Sequence, residues 1–129
     1  MISAEIVDAV MESVADDYIS IPEIIYFVRH QAPDHFSRLR IAATVAEKLV
    51  MEGRIVPGEL TAGGFAPWRQ SREESAEYIV SECNRRADRG ERVRPGEIAW
   101  FDIPGQGPAR VESEEKPRLD SPPTGRPPS

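Results

Sequence analysis

The sequence predicts an α+β domain with four helices and a minimal antiparallel sheet of two or three strands. Three observations support this fold class. Four segments place apolar residues at helical spacing, two strand-like runs at Arg54–Leu60 and Arg94–Ile103 bracket the fourth helix, and a short apolar stretch occurs at Tyr18-Ile19. With 129 residues and a single cysteine, the chain is large enough to build one core and forms no intrachain disulfide.

The first two helices are predicted at residues 3 to 16 and 21 to 31. The first shows one apolar stripe, formed by Ile6, Val7, Val10, Met11 and Val14. The second begins at Ser20, because Ser20 and Glu23 have the spacing of a capping box and Pro22 lies in the first turn, where proline is tolerated. Pro33 follows the predicted end of this helix.

The third helix is predicted at residues 35 to 52, before Gly53. At 100° per residue its core face falls in one arc, made of Leu39, Ala42, Ala43, Ala46, Leu49 and Val50. The opposite side carries Ile41 and Val45 among polar residues. We therefore expect an apolar pair on the outward surface of this helix, which suits a protein partner better than a phosphate backbone.

The remaining elements follow Gly53. Ser71 and Glu74 have the spacing of a second capping box, so the fourth helix is predicted at residues 72 to 89, before Gly90. The last strand is predicted at Glu97–Ile103. Between these strands, Phe65-Ala-Pro-Trp68 is interpreted as a loop with two large aromatic residues that either covers helix three or anchors a partner.

This order of helices and strands is typical of a winged-helix domain, a fold that binds either DNA or protein. We predict a winged-helix-like domain at residues 1 to 103. Residues 104 to 129 contain seven of the twelve prolines and only two aliphatic side chains larger than alanine, so this Pro-rich tail is predicted to be disordered. Two Pro-Gly-Glu triplets occur about forty residues apart, but their flanks differ and they do not define a repeat.

The net charge of −6 is concentrated in the N-terminal part of the chain. Residues 1 to 53 carry nine acidic against four basic side chains, whereas residues 54 to 103 carry nine against eight. Nucleic-acid affinity comes mostly from Lys and Arg contacts to phosphate, so this distribution disfavours DNA binding without excluding it. The N-terminus lacks a signal-peptide pattern, and no apolar run approaches the length of a membrane span, so we expect a cytoplasmic protein.

No catalytic or metal-binding pattern is present. His30 and His35 lack further ligands at a recognised spacing, Cys83 lies on an apolar helix stripe, and Gly63-Gly64 does not precede a helix as a phosphate-binding loop would. The prediction is a non-enzyme without cofactor or metal.

Two sets of residues are candidates for binding a macromolecule. The protein-binding set combines the outward pair of helix three with the aromatic loop: Ile41, Val45, Lys48, Phe65, Trp68 and Arg69. The alternative, nucleic-acid set combines helix three with an arginine cluster that follows helix four: Arg38, Arg40, Thr44, Arg85, Arg86, Arg89, Arg92 and Arg94. Because acidic residues alternate with these arginines and a helix C-terminus favours cations, the cluster also has a purely structural interpretation.

Three segments carry a resemblance: Gly64-Phe65-Ala-Pro-Trp68, Ser71-Arg-Glu-Glu-Ser75 and Gly96-Glu-Ile-Ala-Trp-Phe101. They resemble a family of small, largely uncharacterised bacterial proteins of winged-helix-like build, over residues 1 to about 103. That resemblance implies no site residues. In size and charge the chain is also similar to immunity proteins, which bind and neutralise a toxin domain. The predicted function is a non-catalytic, immunity-like module that binds a basic partner protein, and the alternative is a winged-helix transcriptional regulator. The outward pair of helix three would equally suit a homodimer.

Overall fold

A computed structural model of the protein describes residues 2 to 105. The predicted Pro-rich tail, from residue 106 onward, lies outside the described residues. Within the described range no helix has the length and apolar character needed to cross a membrane.

The architecture is α+β, with helices and strands mixed along the chain. Four helices and four strands follow in the order α1 (Ala4–Asp16), β1 (Ile19–Ser20), α2 (Ile21–Phe27), α3 (His35–Met51), β2 (Val56–Thr61), β3 (Gly64–Pro67), α4 (Arg72–Arg89) and β4 (Trp100–Asp102). The strands form one antiparallel sheet in the order β1-β4-β2-β3. The predicted fold class is confirmed, although the sheet has one strand more than the largest number expected.

The helix starts agree with the capping signals. At α4 the Ser71 hydroxyl accepts from the Glu74 amide, and the Glu74 carboxylate accepts from the Ser71 amide, both at 3.1 Å. At α2 the Glu23 carboxylate accepts from both the amide and the hydroxyl of Ser20, at 2.9 and 2.8 Å. Each helix therefore begins where its local polar residues satisfy free backbone amides.

Helix α2 ends at Phe27, four residues before the predicted end. A carbonyl group near its end accepts from a side chain, because the Arg29 guanidinium donates to the Tyr26 carbonyl oxygen at 2.8 Å. The same guanidinium lies 3.8 Å from the centre of the Tyr26 ring. The Gln31 amide then donates to the Val28 carbonyl in a tighter turn. The helical pattern of the sequence continues past the point where these contacts end the helix.

The prediction of an apolar pair on the outward surface of α3 is wrong. Val45 is 0% exposed, and Ile41 is half-buried in contact with the core. Both residues line one cavity together with Ile2 and Ile6, so this side of α3 faces the N-terminal segment and the start of α1 across that cavity. A helical wheel assumes a single core arc, whereas α3 also packs against α2 and α4 and is therefore buried on several sides.

The segment predicted as an aromatic loop is the edge strand β3. It pairs with β2 through a two-residue connection, Ala62-Gly63, and Leu60 lies opposite Phe65 in the register. Phe65 is 1% exposed and stacks on Tyr18 with ring centroids 5.7 Å apart. Phe65 therefore packs against Tyr18, next to β1, whereas the sequence predicted that this segment covers α3.

Strand β4 begins at Trp100, three residues later than predicted, because the preceding backbone leaves the extended region. Gly96 has φ 86° and Ile98 has φ 73°, both in the left-handed region. The short strand that remains pairs with β1 on one side and β2 on the other. Its Trp100 lies opposite Gly58 and Ser20 at the centre of the sheet.

Candidate functional site

Two adjoining cavities lie between β2, the start of α4 and the turn that precedes β4. Their volumes are about 330 and 320 Å³, and both are lined by Glu59, Tyr78 and Ile98. Together they form what we call the acidic aromatic groove, lined chiefly by Glu59, Leu60, Trp68, Gln70, Glu74, Tyr78, Ile98 and Trp100. Each cavity alone is at the lower end of the size range of binding pockets.

Aromatic rings form much of the wall of this groove. Trp68 and Tyr78 meet edge to face with ring centroids 5.5 Å apart, and Tyr78 is 49% exposed. The chain contains only two tryptophans, and both Trp68 and Trp100 line the groove. Trp68 and Trp100 are half-buried, and rings that remain partly accessible bind cations, prolines and other flat groups at low entropic cost.

The charge of the groove is negative. Among its described lining residues, Glu59 and Glu74 are the charged side chains, and neither is accompanied by an arginine or lysine in the lining. The capping bond from the Ser71 amide holds the Glu74 carboxylate at the N-terminal end of α4. The groove therefore combines a fixed carboxylate, an exposed carboxylate and aromatic faces, which together suit a cationic ligand.

The wall formed by residues 94 to 100 is strained. The Ala99 amide donates to the Glu97 carbonyl oxygen at 2.9 Å across Ile98, whose φ of 73° is that of the rare classic γ-turn. A β-branched residue in this conformation is an outlier that costs about 1–3 kcal/mol. Such strain persists where surrounding contacts impose it, and it is common at binding sites.

A polar anchor fixes this turn to α4. One carboxylate oxygen of Glu97 accepts from the Arg94 amide and from the Arg86 guanidinium, both at 3.0 Å. These bonds, the backbone one first, lower the pKa of Glu97 below its usual value. Arg86 also donates to the Arg92 carbonyl oxygen, so its role is to hold the turn in place.

Gly96→Ala is expected to distort the groove as well as destabilise the protein. An added Cβ would lie 2.9 Å from Nε1 of Trp100, and φ is 86°. We expect a loss of about 1–3 kcal/mol in the free energy of unfolding together with a shift of the Trp100 indole N–H resonance. The matched control is Gly90→Ala, where φ is 70° but no atom lies within 4 Å, so the strain should appear without the indole shift. An unshifted indole in Gly96→Ala would contradict the assigned contact.

The predicted protein-binding residues do not form one surface. Val45 and Phe65 are buried, and Ile41 lines the cavity beside α1. Lys48 is exposed and pairs with Glu52 at 2.7 Å. Arg69 is exposed in the connection between β3 and α4. Of the six predicted residues, Trp68 alone is a lining residue of the acidic aromatic groove.

Most of the predicted nucleic-acid residues have partners within the protein. Arg38 donates to the carbonyl oxygens of Ala32 and Pro33, and the Thr44 hydroxyl donates to the Arg40 carbonyl oxygen. Arg40 pairs with Asp88 and donates to the Asn84 side chain. Arg85 pairs with Glu82 at 2.6 Å, and Arg86 pairs with Glu97 at 3.0 Å. In the described part of the chain, Arg89, Arg92 and Arg94 have no carboxylate within ion-pair distance and are exposed. These last three arginines remain available to an anionic partner.

Burial perturbs two of the groups considered for catalysis, Cys83 and His35. Cys83 is fully buried, and burial raises the pKa of its thiol to about 12. The pKa of His35 is lowered, first by desolvation and then by the nearby Arg92 and Arg38. Over residues 2 to 105, no three His, Cys, Asp or Glu side chains are grouped so that they could hold a metal ion.

Sequence reasoning missed the acidic aromatic groove, although one signal for it was present. The two Pro-Gly-Glu triplets place Gly58 opposite Trp100 in the sheet and Gly96 against the Trp100 ring. The third residue of the first triplet, Glu59, lines the groove, and that of the second, Glu97, anchors the wall. Glycine in a strand often marks a close approach of other groups, so the glycine shared by the two triplets is the signal that could have indicated this site.

Comparison with known proteins identifies no relative of this chain. No protein-family model, no curated protein and no solved structure matches it. The resemblance to winged-helix-like bacterial proteins and to immunity proteins therefore stays a prediction.

Proposed function

We propose that this protein is a non-catalytic protein-binding module that takes a basic segment of a partner into the acidic aromatic groove. The observation that carries this proposal is the pairing of Glu59 and Glu74 with three aromatic side chains in adjoining cavities. A lysine or arginine would meet both a carboxylate and an aromatic face there. The net charge of −6 favours the approach of a basic partner over longer distances.

The partner class that fits is a basic toxin domain, such as a nuclease, neutralised in the cytoplasm by an immunity-like protein. The succession of helix, short strand, two helices and paired strands supports a winged-helix-like interpretation of the domain. The proposed binding surface lies on α4 and β2, whereas the sequence indicated α3. The surface of α3 lacks the apolar pair on which a partner was expected to bind.

Binding of a cationic peptide tests this function directly. The probe is the peptide (Arg-Pro)₄, and the readout is intrinsic fluorescence, because both tryptophans line the groove. We expect a saturable fluorescence change that the matched peptide (Glu-Pro)₄ does not produce. Glu59→Gln with Glu74→Gln should weaken binding by about fivefold or more, which corresponds to about 1 kcal/mol.

The control for this experiment lies on the same helix. Glu73 and Glu77 line a different cavity between α3 and α4, so Glu73→Gln with Glu77→Gln removes the same charge away from the groove. This control should bind (Arg-Pro)₄ as the unmodified protein does. Glutamine at position 74 also preserves the spacing of the capping box, so the fold is retained. Equal loss in both double variants would show that net charge alone attracts the peptide and would overturn the assigned groove.

A second candidate function, DNA-binding transcriptional regulation, is favoured by the exposed arginines Arg89, Arg92 and Arg94. Three phosphate contacts predict a slope of about −2.7 in a plot of log K against log salt concentration. Binding of a generic DNA duplex with this slope, abolished by Arg92→Glu with Arg94→Glu, would support the regulator. Absence of binding at low salt would eliminate it.

A further inference from the structure

The acidic aromatic groove sets three requirements on an occupant. It needs a cation for Glu59 and Glu74, flat or rigid groups for the partly exposed rings, and no acidic side chain that would meet those two charges. Proline-rich segments satisfy the second requirement, because proline rings pack on aromatic side chains and lose little entropy on binding.

One segment of this chain meets all three requirements. Residues 121 to 129 contain Pro122, Pro123, Pro127 and Pro128 around a single arginine, Arg126, and no acidic residue. The preceding stretch is less suitable, because its four acidic residues would be repelled by the groove: Glu112, Glu114, Glu115 and Asp120. We propose that the acidic aromatic groove is bound in cis by Ser121–Pro128, so that a basic partner binds only by displacing this segment. This rests on the proposed function of the groove.

The position of the groove in the chain makes this contact feasible. Trp100 lies on the groove and belongs to β4, and the described chain continues to Gly105. Sixteen residues, 106 to 121, then lead to Pro122. Fully extended, a connection of that length reaches at most about 53–58 Å, which exceeds the width of a domain of this size, about 30–35 Å, so its length allows the segment to reach the groove. Tethering raises the effective concentration to about the millimolar range, at which a weak site is occupied.

The test uses the full chain with a spin label attached at Ser121→Cys. The native Cys83 is buried with a thiol pKa of about 12, so the label reacts at the introduced position. We expect selective paramagnetic broadening of the indole N–H resonances of Trp68 and Trp100, in comparison with the amide resonances of α2. Arg126→Glu in the labelled chain should remove this broadening. The matched control Arg110→Glu, which reverses a charge elsewhere in the tail, should retain it.

Two further measurements separate the outcomes. Undiminished broadening in a mixture of spin-labelled, unenriched chains with unlabelled, isotopically enriched chains would show that a second copy supplies the segment, and would overturn binding in cis. The Arg126→Glu variant should also bind (Arg-Pro)₄ severalfold more tightly, since the competing segment is weakened. Unbroadened indoles with normal peptide binding would overturn this inference and leave the proposed function standing. Unbroadened indoles without peptide binding would overturn both.

Discussion

Val45→Glu is expected to prevent the domain from folding. Val45 is 0% exposed on α3 and belongs to the main core cluster. A carboxylate at this position would lose its hydration, and the described core around it offers no basic side chain as a partner. Burial of an unpaired charge costs several kcal/mol, which is comparable with the whole stability of a small domain, about 5–15 kcal/mol. Far-ultraviolet circular dichroism and urea titration measure this loss.

The control for this prediction is Thr44→Glu, one position earlier on the same helix. Thr44 is exposed, and Arg40 lies one turn away, so the same carboxylate is hydrated there and weakly paired. We expect a change of about 0.5 kcal/mol or less. A folded, soluble Val45→Glu protein would instead restore the interpretation of α3 as an outward apolar surface.

Gly58→Ala is expected to have the second largest effect. A Cβ at this position of β2 would lie 2.4 Å from the Ala66 carbonyl oxygen, 2.7 Å from Cζ of Phe65 and 2.9 Å from Cα of Pro67. Two of these atoms belong to the backbone of β3, which moves only if the hairpin separates. We expect a loss of about 3 kcal/mol, measured as a fall in Tm of about 10 °C or more.

Gly63→Ala is the matched control in the same hairpin. Its nearest neighbour would be Oγ1 of Thr61 at 3.8 Å, an ordinary contact distance. The stability of this variant should change by about 0.5 kcal/mol or less. If both alanine variants were equally stable, the close approach of β3 to Gly58 would be incorrect. The groove would also be affected, since Gly58 lies opposite Trp100.

The elements that sequence reasoning predicted well depend on contacts between near neighbours in the chain. Helix α4 begins at Arg72 because Ser71 and Glu74 exchange hydrogen bonds over three residues, and it ends before Gly90, whose φ is 70°. The start of α2 after Ser20 has the same basis. Such signals are complete within one turn of helix, so they can be recognised without knowledge of the fold.

The proposed binding surface could not be predicted in this way. Whether Val45 faces solvent depends on how α3 packs against the other helices, and the strand at Phe65 depends on the space that Gly58 leaves. The acidic aromatic groove likewise joins Glu59 of β2, Tyr78 of α4 and Trp100 of β4. In each case the residues that meet are distant along the chain, and sheet register and helix packing bring them together.

The sequence by itself determined the helix starts, the α+β class and the acidic charge, because capping, periodicity and composition act locally or as sums over the chain. Only the tertiary structure decided which apolar residues are covered and where two carboxylates meet three aromatic rings. The physical reason is that exposure belongs to the packed arrangement of several elements, and steric contacts between distant residues select that arrangement.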